Sequence, residues 1–335
     1  MNYETVFKAA ESRTVRAAIS GAGEFGTSFI FQSRRVRGLE VAAIYNRTVE
    51  KGVRAFVHAG IPAENVKICG TAGTVVTALE AGQYVVVGDP SLLIGAGLDI
   101  VIEGTGHPET GARIAEMAIK DGMHVAMVSK EPDSVVGPIL NDKARKAGLV
   151  YTPVDGDQPS LLIRLISWAR VLGLNILAAG KSSEYDFIFD PDTGRVTSLE
   201  KSTTVPEFGT LWNVGKRGVI NTIGDRSEML LDLPQHAVPD LCEMGLVANA
   251  TGMCPDLPDF HAPICRIPEI PDIMCPREFG GILSGTGVLD VINLLRKPDE
   301  VSLAGGVFII VECEDQKTWE VLRLKGHVVS QNRRT

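Results

Sequence analysis

The sequence predicts an α/β protein with two domains, an N-terminal doubly wound parallel sheet and a second α+β domain. From residue 15 to about 155, short apolar strands alternate with helices, which is typical of a parallel sheet. The strand Asp99–Glu103 is apolar on both faces, as a strand covered by helices on both sides must be. The alternation stops after Asp155–Pro159, and 335 residues are more than one core usually organises. We therefore expect one domain over residues 1–155 and another over residues 156–335.

The first domain is predicted to consist of strands that are joined by helices. Tyr84–Val87 is either a strand or the approach to a short helix over Pro90–Ile94. The other predicted strands are Val15–Ser20, Leu39–Tyr45, Asn65–Cys69, Asp99–Glu103, His124–Val128 and Val150–Pro153. The predicted helices follow Gly26 and then cover Val49–His58, Thr74–Ala81, Glu109–Asp121 and Gly137–Ala147.

The second domain is predicted to open with a helix over Ser160–Leu172, whose apolar residues recur at helical spacing, and a strand over Asn175–Ala179. Residues 186–230 are rich in turns and charges, which indicates a long active-site or subunit-contact excursion. Pro239–Ala250 is typical of a helix. The proline-dense residues 254–276 are expected to run over the surface.

The end of the chain predicts two antiparallel strands, Val307–Cys313 and Trp319–Leu324, joined by Glu314–Thr318. These strands could pack back on the first domain. Because the second domain is amphipathic, we expect it to support self-association as well as catalysis, which makes the protein a homo-oligomer.

A glycine motif, Gly21-Ala22-Gly23-Glu24-Phe25-Gly26, lies between the first strand and the first helix. Gly21 allows a tight turn, Gly23 lets the backbone approach a pyrophosphate, and Gly26 lets helix and strand pack closely. The helix N-terminus then presents free N–H groups and the positive end of its dipole. A glycine-rich turn in some other α/β protein is the alternative. The motif predicts a Rossmann domain in which Gly21, Gly23, Glu24, Phe25 and Gly26 contact a dinucleotide.

The end of the second strand indicates which dinucleotide binds. NAD-selective domains usually place Asp or Glu there, on the ribose hydroxyls. This chain has Asn46, Arg47 and Thr48 instead, with no carboxylate to repel a 2′-phosphate. Arg47 can pair with that phosphate through two hydrogen bonds, and Asn46 and Thr48 can add neutral donors. We therefore predict NADP in preference to NAD.

Two further loops follow buried strands, at the sheet edge where ligands bind in open α/β domains. Gly104-Thr105-Gly106 lets the backbone approach the ribose and nicotinamide, although a structural turn is the alternative. Ser129 ends another strand and is expected to contact the cofactor. These residues complete the predicted cofactor site.

Two lysines at strand ends are the predicted catalytic groups. Lys181 ends an apolar strand and is the first choice for the proton donor or acceptor at the carbonyl being reduced, with Lys130 as the positioning group. Exposed charges at strand ends are the alternative. Asp155 and Asp157 could orient either lysine or hold a metal ion, although a solvated acidic turn explains them almost as well. Asp157 is retained as a catalytic candidate, no metal ligand is assigned, and the need for a divalent metal is left open.

The net charge of −8 argues against a nucleic-acid partner, and Arg333 and Arg334 are too few to change that. No apolar run approaches the length that spans a membrane. Met1–Val6 lacks the layout of a signal peptide, so we expect a cytoplasmic protein with a small-molecule substrate.

The six cysteines are expected to remain thiols. Cys254, Cys265 and Cys275, with His261 among them, suggest a zinc site, but no pair has the spacing of closed structural zinc sites. Small buried hydrophobic residues are the better interpretation.

Several segments of the chain resemble the homoserine dehydrogenase superfamily. In the first domain these are Ile100–Gly106, Gly122–Glu131 and Asp155–Pro159. The closer resemblance is to a branch of homoserine-dehydrogenase-like oxidoreductases that includes the 1-deoxy-D-xylulose 5-phosphate reductoisomerase-like proteins. Its second domain is similar to Ala178–Lys181, Leu246–Gly252 and Gly280–Leu283, and the resemblance covers roughly residues 15–326.

The resemblance implies an NAD(P)-dependent enzyme that reduces a small polar, sugar-like or phosphorylated compound, with or without a coupled rearrangement. The chain differs from longer members of the branch, which carry a further β-rich domain after the point that His327 occupies here, and it lacks the acidic cofactor selector of some relatives. It also has no counterpart of the carboxylate-rich substrate segment of homoserine dehydrogenase, so homoserine is not the expected substrate. The alternatives are a simple dehydrogenase of a hydroxy acid, amino acid or polyol, and a cofactor-binding sensor without turnover.

Overall fold

The computed structural model describes Phe7 and residues 13–329 of the chain. The predictions made on Met1–Val6 and on Arg333 and Arg334 lie outside the described residues. The fold divides into two compact units, with the division between Val154 and Asp155.

The first unit is built on a parallel sheet of seven strands, with each helix joining one strand to the next. Its strands are β1 (Val15–Ser20), β2 (Leu39–Tyr45), β3 (Val66–Cys69), β4 (Tyr84–Val87), β5 (Ile100–Glu103), β6 (His124–Met127) and β7 (Tyr151–Pro153). Its α-helices are α1 (Glu24–Ser33), α2 (Val49–His58), α3 (Ala72–Glu80), α4 (Pro108–Lys120) and α5 (Lys130–Lys146), and Ala63–Asn65 and Pro90–Leu93 form 3₁₀ turns.

The strand order in this sheet is β3-β4-β2-β1-β5-β6-β7, and every neighbouring pair is parallel. Alternate residues of β1 point to opposite faces, so that Ala17 and Ile19 join one apolar cluster while Ala18 joins another. Both faces of the sheet are therefore buried, which confirms the predicted doubly wound α/β class.

The start of α5 is the boundary in this unit that differs most from the prediction. Lys130 does not end a strand, because β6 ends at Met127 and Lys130 is the first residue of α5. The helix predicted over Gly137–Ala147 therefore begins seven residues earlier than expected. Pro132 lies in the first turn, where a missing N–H breaks no helical hydrogen bond, and the helix continues through Pro138.

The second unit is built on a mixed sheet. Its strands are β8 (Asn175–Ser182), β9 (Phe187–Asp190), β10 (Arg195–Ser198), β11 (Lys201–Thr204), β12 (Cys254–Pro255), β13 (Ile264–Cys265), β14 (Val288–Arg296) and β15 (Val307–Glu312). Its α-helices are α6 (Gln158–Val171), α7 (Val219–Met229), α8 (Val238–Thr251), α9 (Ile270–Ile273) and α10 (Gln316–Leu324), with 3₁₀ turns at Pro206–Leu211, Ile267–Glu269 and Arg277–Phe279.

The order in this sheet is β11-β10-β9-β14-β8-β15. β14 is parallel to β8 and β9, and the two-residue strands β12 and β13 also pair with it. Helices α6 and α8 pack on one face through residues such as Ile166 and Val247. Residues between β13 and β14, including Cys275 and Leu283, pack on the other face.

Two predicted loop regions of this unit belong to the fold instead. Residues 186–230 are not an excursion, because they form β9, β10, β11 and α7. Residues 254–276 do not simply run over the surface, since Cys265, Met274 and Cys275 are fully buried. Cys254 is exposed, so the prediction that it is a buried hydrophobic residue was wrong.

The predicted last strand, Trp319–Leu324, is the helix α10. The Asp315 carboxylate accepts hydrogen bonds from the backbone N–H and the hydroxyl of Thr318, which caps the helix N-terminus. The indole of Trp319 donates to the carbonyl of Cys313 and is buried. This local capping overrides the β-propensity of Trp319 and Val321, on which the strand prediction depended.

Candidate functional site

The glycine motif lies where the winding of the first sheet reverses, between β1 and β5. A methyl group on Gly21, whose φ is +100°, would lie 2.5 Å from the carbonyl oxygen of Gly104, and one on Gly26 would lie 2.1 Å from that of Gly21. Both positions therefore require glycine. A methyl group on Gly23 would meet nothing within 4 Å, so open space lies in front of the N-terminus of α1. Gly23 caps that helix without a side chain, which leaves its first N–H groups for an anion.

The end of β2 supports this loop through Asn46. The backbone N–H of Ala22 donates to Asn46 Oδ1 at 3.0 Å, and Asn46 Nδ2 donates to the carbonyl of Thr48 at 2.7 Å. Asn46 therefore connects the glycine loop to the end of β2, a role the sequence did not indicate. Arg47 and Thr48 are exposed beside it, so the Arg47 guanidinium is open to a ligand.

The loop after β5 is held by a buried carboxyl group. Glu103 is fully buried, and its Oε1 accepts from the N–H of Thr105 at 2.9 Å and from the Thr105 hydroxyl at 2.5 Å. The N–H of Gly106 donates to the Ser129 hydroxyl at 2.9 Å. Ser129 thus supports the backbone of this loop through a hydrogen bond. Glu103, which also holds the loop, was not predicted as a site residue, although a charged residue at the end of an apolar strand is a signal that could have identified it.

The remaining predicted cofactor residues lie at the start of α1. Glu24 and Phe25 are exposed, and the ring of Phe25 stacks on Phe29 with centroids 5.8 Å apart. Lys130 is half-buried at the first position of α5. Their roles toward the cofactor and the substrate stay predictions.

A buried ionic cluster lies in the second unit around Lys181. Its Nζ is 2.8 Å from Asp240 Oδ1 and also pairs with the Glu243 carboxylate. Asp240 and Glu243 are three residues apart on α8, which places both on the helix face toward β8. The Ser183 hydroxyl donates to Asp240 Oδ2 at 2.8 Å. With all three groups ionised, the cluster carries one net negative charge.

The ion-pair partners of Lys181 were not the ones predicted. Sequence reasoning offered Asp155 and Asp157, but Asp155 pairs with Arg164 and Asp157 accepts from the N–H of Gln158 at 2.8 Å as the cap of α6. Lys181 itself is 1% exposed, so it is not the exposed strand-end charge that was the alternative. A lysine buried this deeply requires paired carboxylates.

A cavity of about 290 Å³ adjoins this cluster in the second unit. Asp240 lines the cavity and Lys181 does not, so Asp240 is the residue of the cluster that adjoins the cavity. The full lining is His236, Ala237, Val238, Asp240, Leu241, Asp259, Phe260, Ala262 and Val291. Apolar walls with a few polar groups are typical of small-molecule sites.

Residues 235–332 match the family model described as the catalytic domain of oxidoreductase DRL. This segment contains every residue that lines the cavity. No curated protein matches the chain.

Solved oxidoreductase structures resemble part of the chain. An oxidoreductase from Agrobacterium radiobacter in complex with NAD⁺, L-tartaric acid and magnesium is 16% identical over 54% of this chain and 46% of its own, with a TM-score of 0.36. Biliverdin reductase from Synechocystis sp. PCC 6803, in complex with biliverdin and NADP⁺, is 19% identical over 53% and 48%, with a TM-score of 0.34. The 3-ketoreductase KijD10 from Actinomadura kijaniata, in complex with NADP and TDP-benzene, is 17% identical over 53% and 48%, with a TM-score of 0.36. The chain thus spans about half the length of each.

Proposed function

We propose that this protein is an NADP-dependent oxidoreductase that acts on a small polar hydroxy or keto compound in the cavity of the second unit. The observation that carries the proposal is Asp240, a residue that lines that cavity and is ion-paired with the buried Lys181. The match of residues 235–332 to an oxidoreductase catalytic domain supports the same assignment. The glycine loop of the first unit supports a dinucleotide cofactor.

The two units have separate tasks in this proposal. Gly21, Gly23 and the N-terminus of α1 would hold the pyrophosphate, and Gly104–Gly106 would hold the part of the cofactor nearer the nicotinamide. When bound, the cofactor supplies or accepts a hydride. NAD is the alternative cofactor.

The residues of the second unit would transfer the proton to or from the oxygen of the carbonyl or alcohol. Asp240 is placed to hold or release a proton at the oxygen of the carbonyl or alcohol, as general acids and bases do. Lys181 Nζ lies 2.8 Å from Asp240 Oδ1 and would supply a proton to that carboxylate. In this scheme Lys181 acts through Asp240, whereas the sequence predicted that it acts directly. Lys130 keeps its predicted positioning role, whereas Asp240 and Glu243 take the role of orienting Lys181 that was predicted for Asp157.

The activity can be tested by NADPH oxidation over a panel of ketoses and keto acids, with the wild type and Asp240→Asn. The amide keeps the shape and can still accept from Ser183 but cannot exchange a proton. We expect turnover to fall by about 100-fold or more, while NADPH binding, followed by fluorescence, stays unchanged. Asp232→Asn, at an exposed position, is the matched control. Normal turnover in Asp240→Asn would exclude the assigned role, and NADPH binding without turnover of any compound would favour the sensor.

The cofactor preference depends on Arg47. We expect a higher kcat/KM with NADPH than with NADH, because the exposed guanidinium can pair with the 2′-phosphate. Arg47→Leu should lower kcat/KM for NADPH by about 10- to 100-fold, the usual value of a charge-assisted hydrogen bond, and leave NADH turnover nearly unchanged. Equal turnover of both cofactors by the wild type contradicts the preference.

The finer proposal is that reduction is coupled to a skeletal rearrangement of a sugar-like or phosphorylated ketose, as the resemblance to reductoisomerase-like proteins implies. A simple dehydrogenase of a hydroxy acid, amino acid or polyol is the second candidate. Among the described residues, no group of three or more His, Cys, Asp or Glu side chains is arranged to hold a metal ion. Chelation discriminates between the candidates, since a metal-dependent reductoisomerase loses activity with EDTA and a simple dehydrogenase keeps it.

A further inference from the structure

Two strained residues form part of the cavity wall and flank a single histidine. Phe260 and Ala262 have φ values of +59° and +45°, and both line the cavity. Residues other than glycine rarely adopt this left-handed backbone conformation. It persists only where the surrounding structure holds the backbone in place. His261, between them, is therefore the natural place to look for what holds the segment.

His261 is held by a carboxylate from the middle of the second sheet. Asp290, which is fully buried on β14, accepts through Oδ2 from His261 Nδ1 at 2.6 Å and through Oδ1 from the His261 backbone N–H at 2.9 Å. Its Oδ1 also accepts from the N–H of Val291 at 2.8 Å, which orients the carboxylate. Because a carboxylate only accepts, the proton of this pair lies on Nδ1.

The other side of the imidazole faces a second aspartate. His261 Nε2 is buried and lies 3.5 Å from Asp256 Oδ2, which is itself held by the backbone N–H of Ser284 at 3.0 Å. The Ser284 hydroxyl binds the other carboxylate oxygen of Asp256. The ring is thus held through Nδ1 and enclosed on the Nε2 side, while Phe260 and Ala262, on either side of it in the chain, form part of the cavity wall.

We propose that His261 is a positioning residue which, through Asp290, holds Phe260 and Ala262 in their strained conformation and so determines which substrates the cavity accepts. This inference rests on the proposed function for its substrate, although the clamp itself rests on geometry alone. The substrate class is a small hydroxy or keto compound with a polar end for Asp240 and a carbon face for Phe260. Loss of the clamp would let the wall relax, which weakens substrate binding without removing the proton-transfer group.

Matched variants separate the two sides of the imidazole. His261→Asn keeps an N–H donor near the position of Nδ1, His261→Gln keeps one near the position of Nε2, and His261→Leu keeps neither. His261→Asn should therefore behave most like the wild type. His327→Leu makes the same change at an exposed histidine and serves as the control.

The first measurement needs no substrate. Hydrogen–deuterium exchange of residues 259–263 in the full chain should be faster in His261→Leu and His261→Gln than in the wild type, and close to the wild type in His261→Asn. Ala262→Gly relieves the strain at one position, because glycine tolerates positive φ. In that background the effect of His261→Leu should be smaller, which a double-mutant cycle measures.

The second measurement uses NADPH and the best compound of the ketose and keto-acid panel. His261→Leu should raise KM by about tenfold and change kcat by less than about threefold, the pattern of lost binding rather than lost chemistry. Unchanged KM, or a fall in kcat alone, overturns the positioning role. If the wild type turns over no compound, the proposed function is wrong. Hydrogen–deuterium exchange of residues 259–263 still tests whether His261 holds Phe260 and Ala262 in place. Equal exchange in all variants overturns the clamp, and if His261→Leu does not fold, the Asn and Gln variants decide in the same way.

Discussion

Asp133 and Tyr151 form a buried hydrogen-bonded pair in the first unit. The Tyr151 hydroxyl donates to Asp133 Oδ1 at 2.7 Å. Burial raises the pKa of Asp133, and the hydrogen bond from Tyr151 opposes this only in part. Burial and the neighbouring Asp133 also raise the pKa of Tyr151, so its phenol stays protonated. Asp133 is therefore a group whose charge works against the folded state.

This pair leads to a prediction about stability and pH. The native state holds the Asp133 proton more tightly than the unfolded state, so stability falls as pH rises from about 4 through the raised pKa. Asp133→Asn has no proton to lose there and can still accept from Tyr151. We expect it to increase the free energy of unfolding at pH 7.5 and to increase it less at pH 4, as urea denaturation would measure. A gain that is equal at both pH values contradicts the prediction.

Single residues also mark the limit of what the sequence predicts about the site. Gly21, Gly23 and Gly26 could be placed because their roles follow from local geometry within one loop. Lys181 could be identified from its strand, but its partners Asp240 and Glu243 lie on a helix far along the chain. Tertiary packing alone brings these residues together, so a local sequence pattern could not predict that they form ion pairs.

At the scale of elements, strands were predicted correctly where the apolar pattern was uninterrupted. They were missed where buried polar residues interrupted that pattern. Most strands of the first unit repeat an apolar pattern, and the structure confirms them. β14, the central strand of the second sheet, was missed because Asp290 and Asn293 interrupt its apolar run. Both are buried and have functions in the fold, since Asp290 binds His261 and Asn293 donates to the carbonyls of Gln235 and Ala262.

A buried arginine explains why the second half of residues 186–230 folds rather than remains a loop. Arg226 on α7 is fully buried and makes two hydrogen bonds with the Glu269 carboxylate, at 2.8 and 2.9 Å. It also donates to the carbonyls of Leu211, Trp212 and Ile264, which connects α7 to the preceding turn and to β13. The charges that suggested a surface excursion thus include one at the centre of the packing.

At the scale of the molecule, each unit has apolar clusters of its own. One pair of clusters packs on the two faces of the first sheet, and others pack on both faces of the second. No helix among the described residues is long and apolar enough to cross a membrane. Self-association and a cytoplasmic location stay predictions, as do the assigned functions of the two domains.

Separate cores predict separate thermal transitions. Calorimetry of the full chain should resolve two unfolding events, because a unit with its own core can unfold on its own. NADPH binds folded protein, so a concentration of 100 times its dissociation constant should stabilise the first unit by about 2.7 kcal/mol. That corresponds to a rise of about 5–10 °C in the melting temperature of one transition, with the other unchanged.

Two substitutions identify which transition belongs to which unit. Asp133→Asn should raise the melting temperature of the transition that NADPH shifts. Arg226→Met should lower the melting temperature of the transition that NADPH does not shift, because the substitution leaves the buried Glu269 carboxylate without its cation. If both substitutions move the same transition, or if NADPH shifts the whole curve together, the two cores unfold as one cooperative unit. Cofactor binding in the first unit would then also stabilise the cavity of the second.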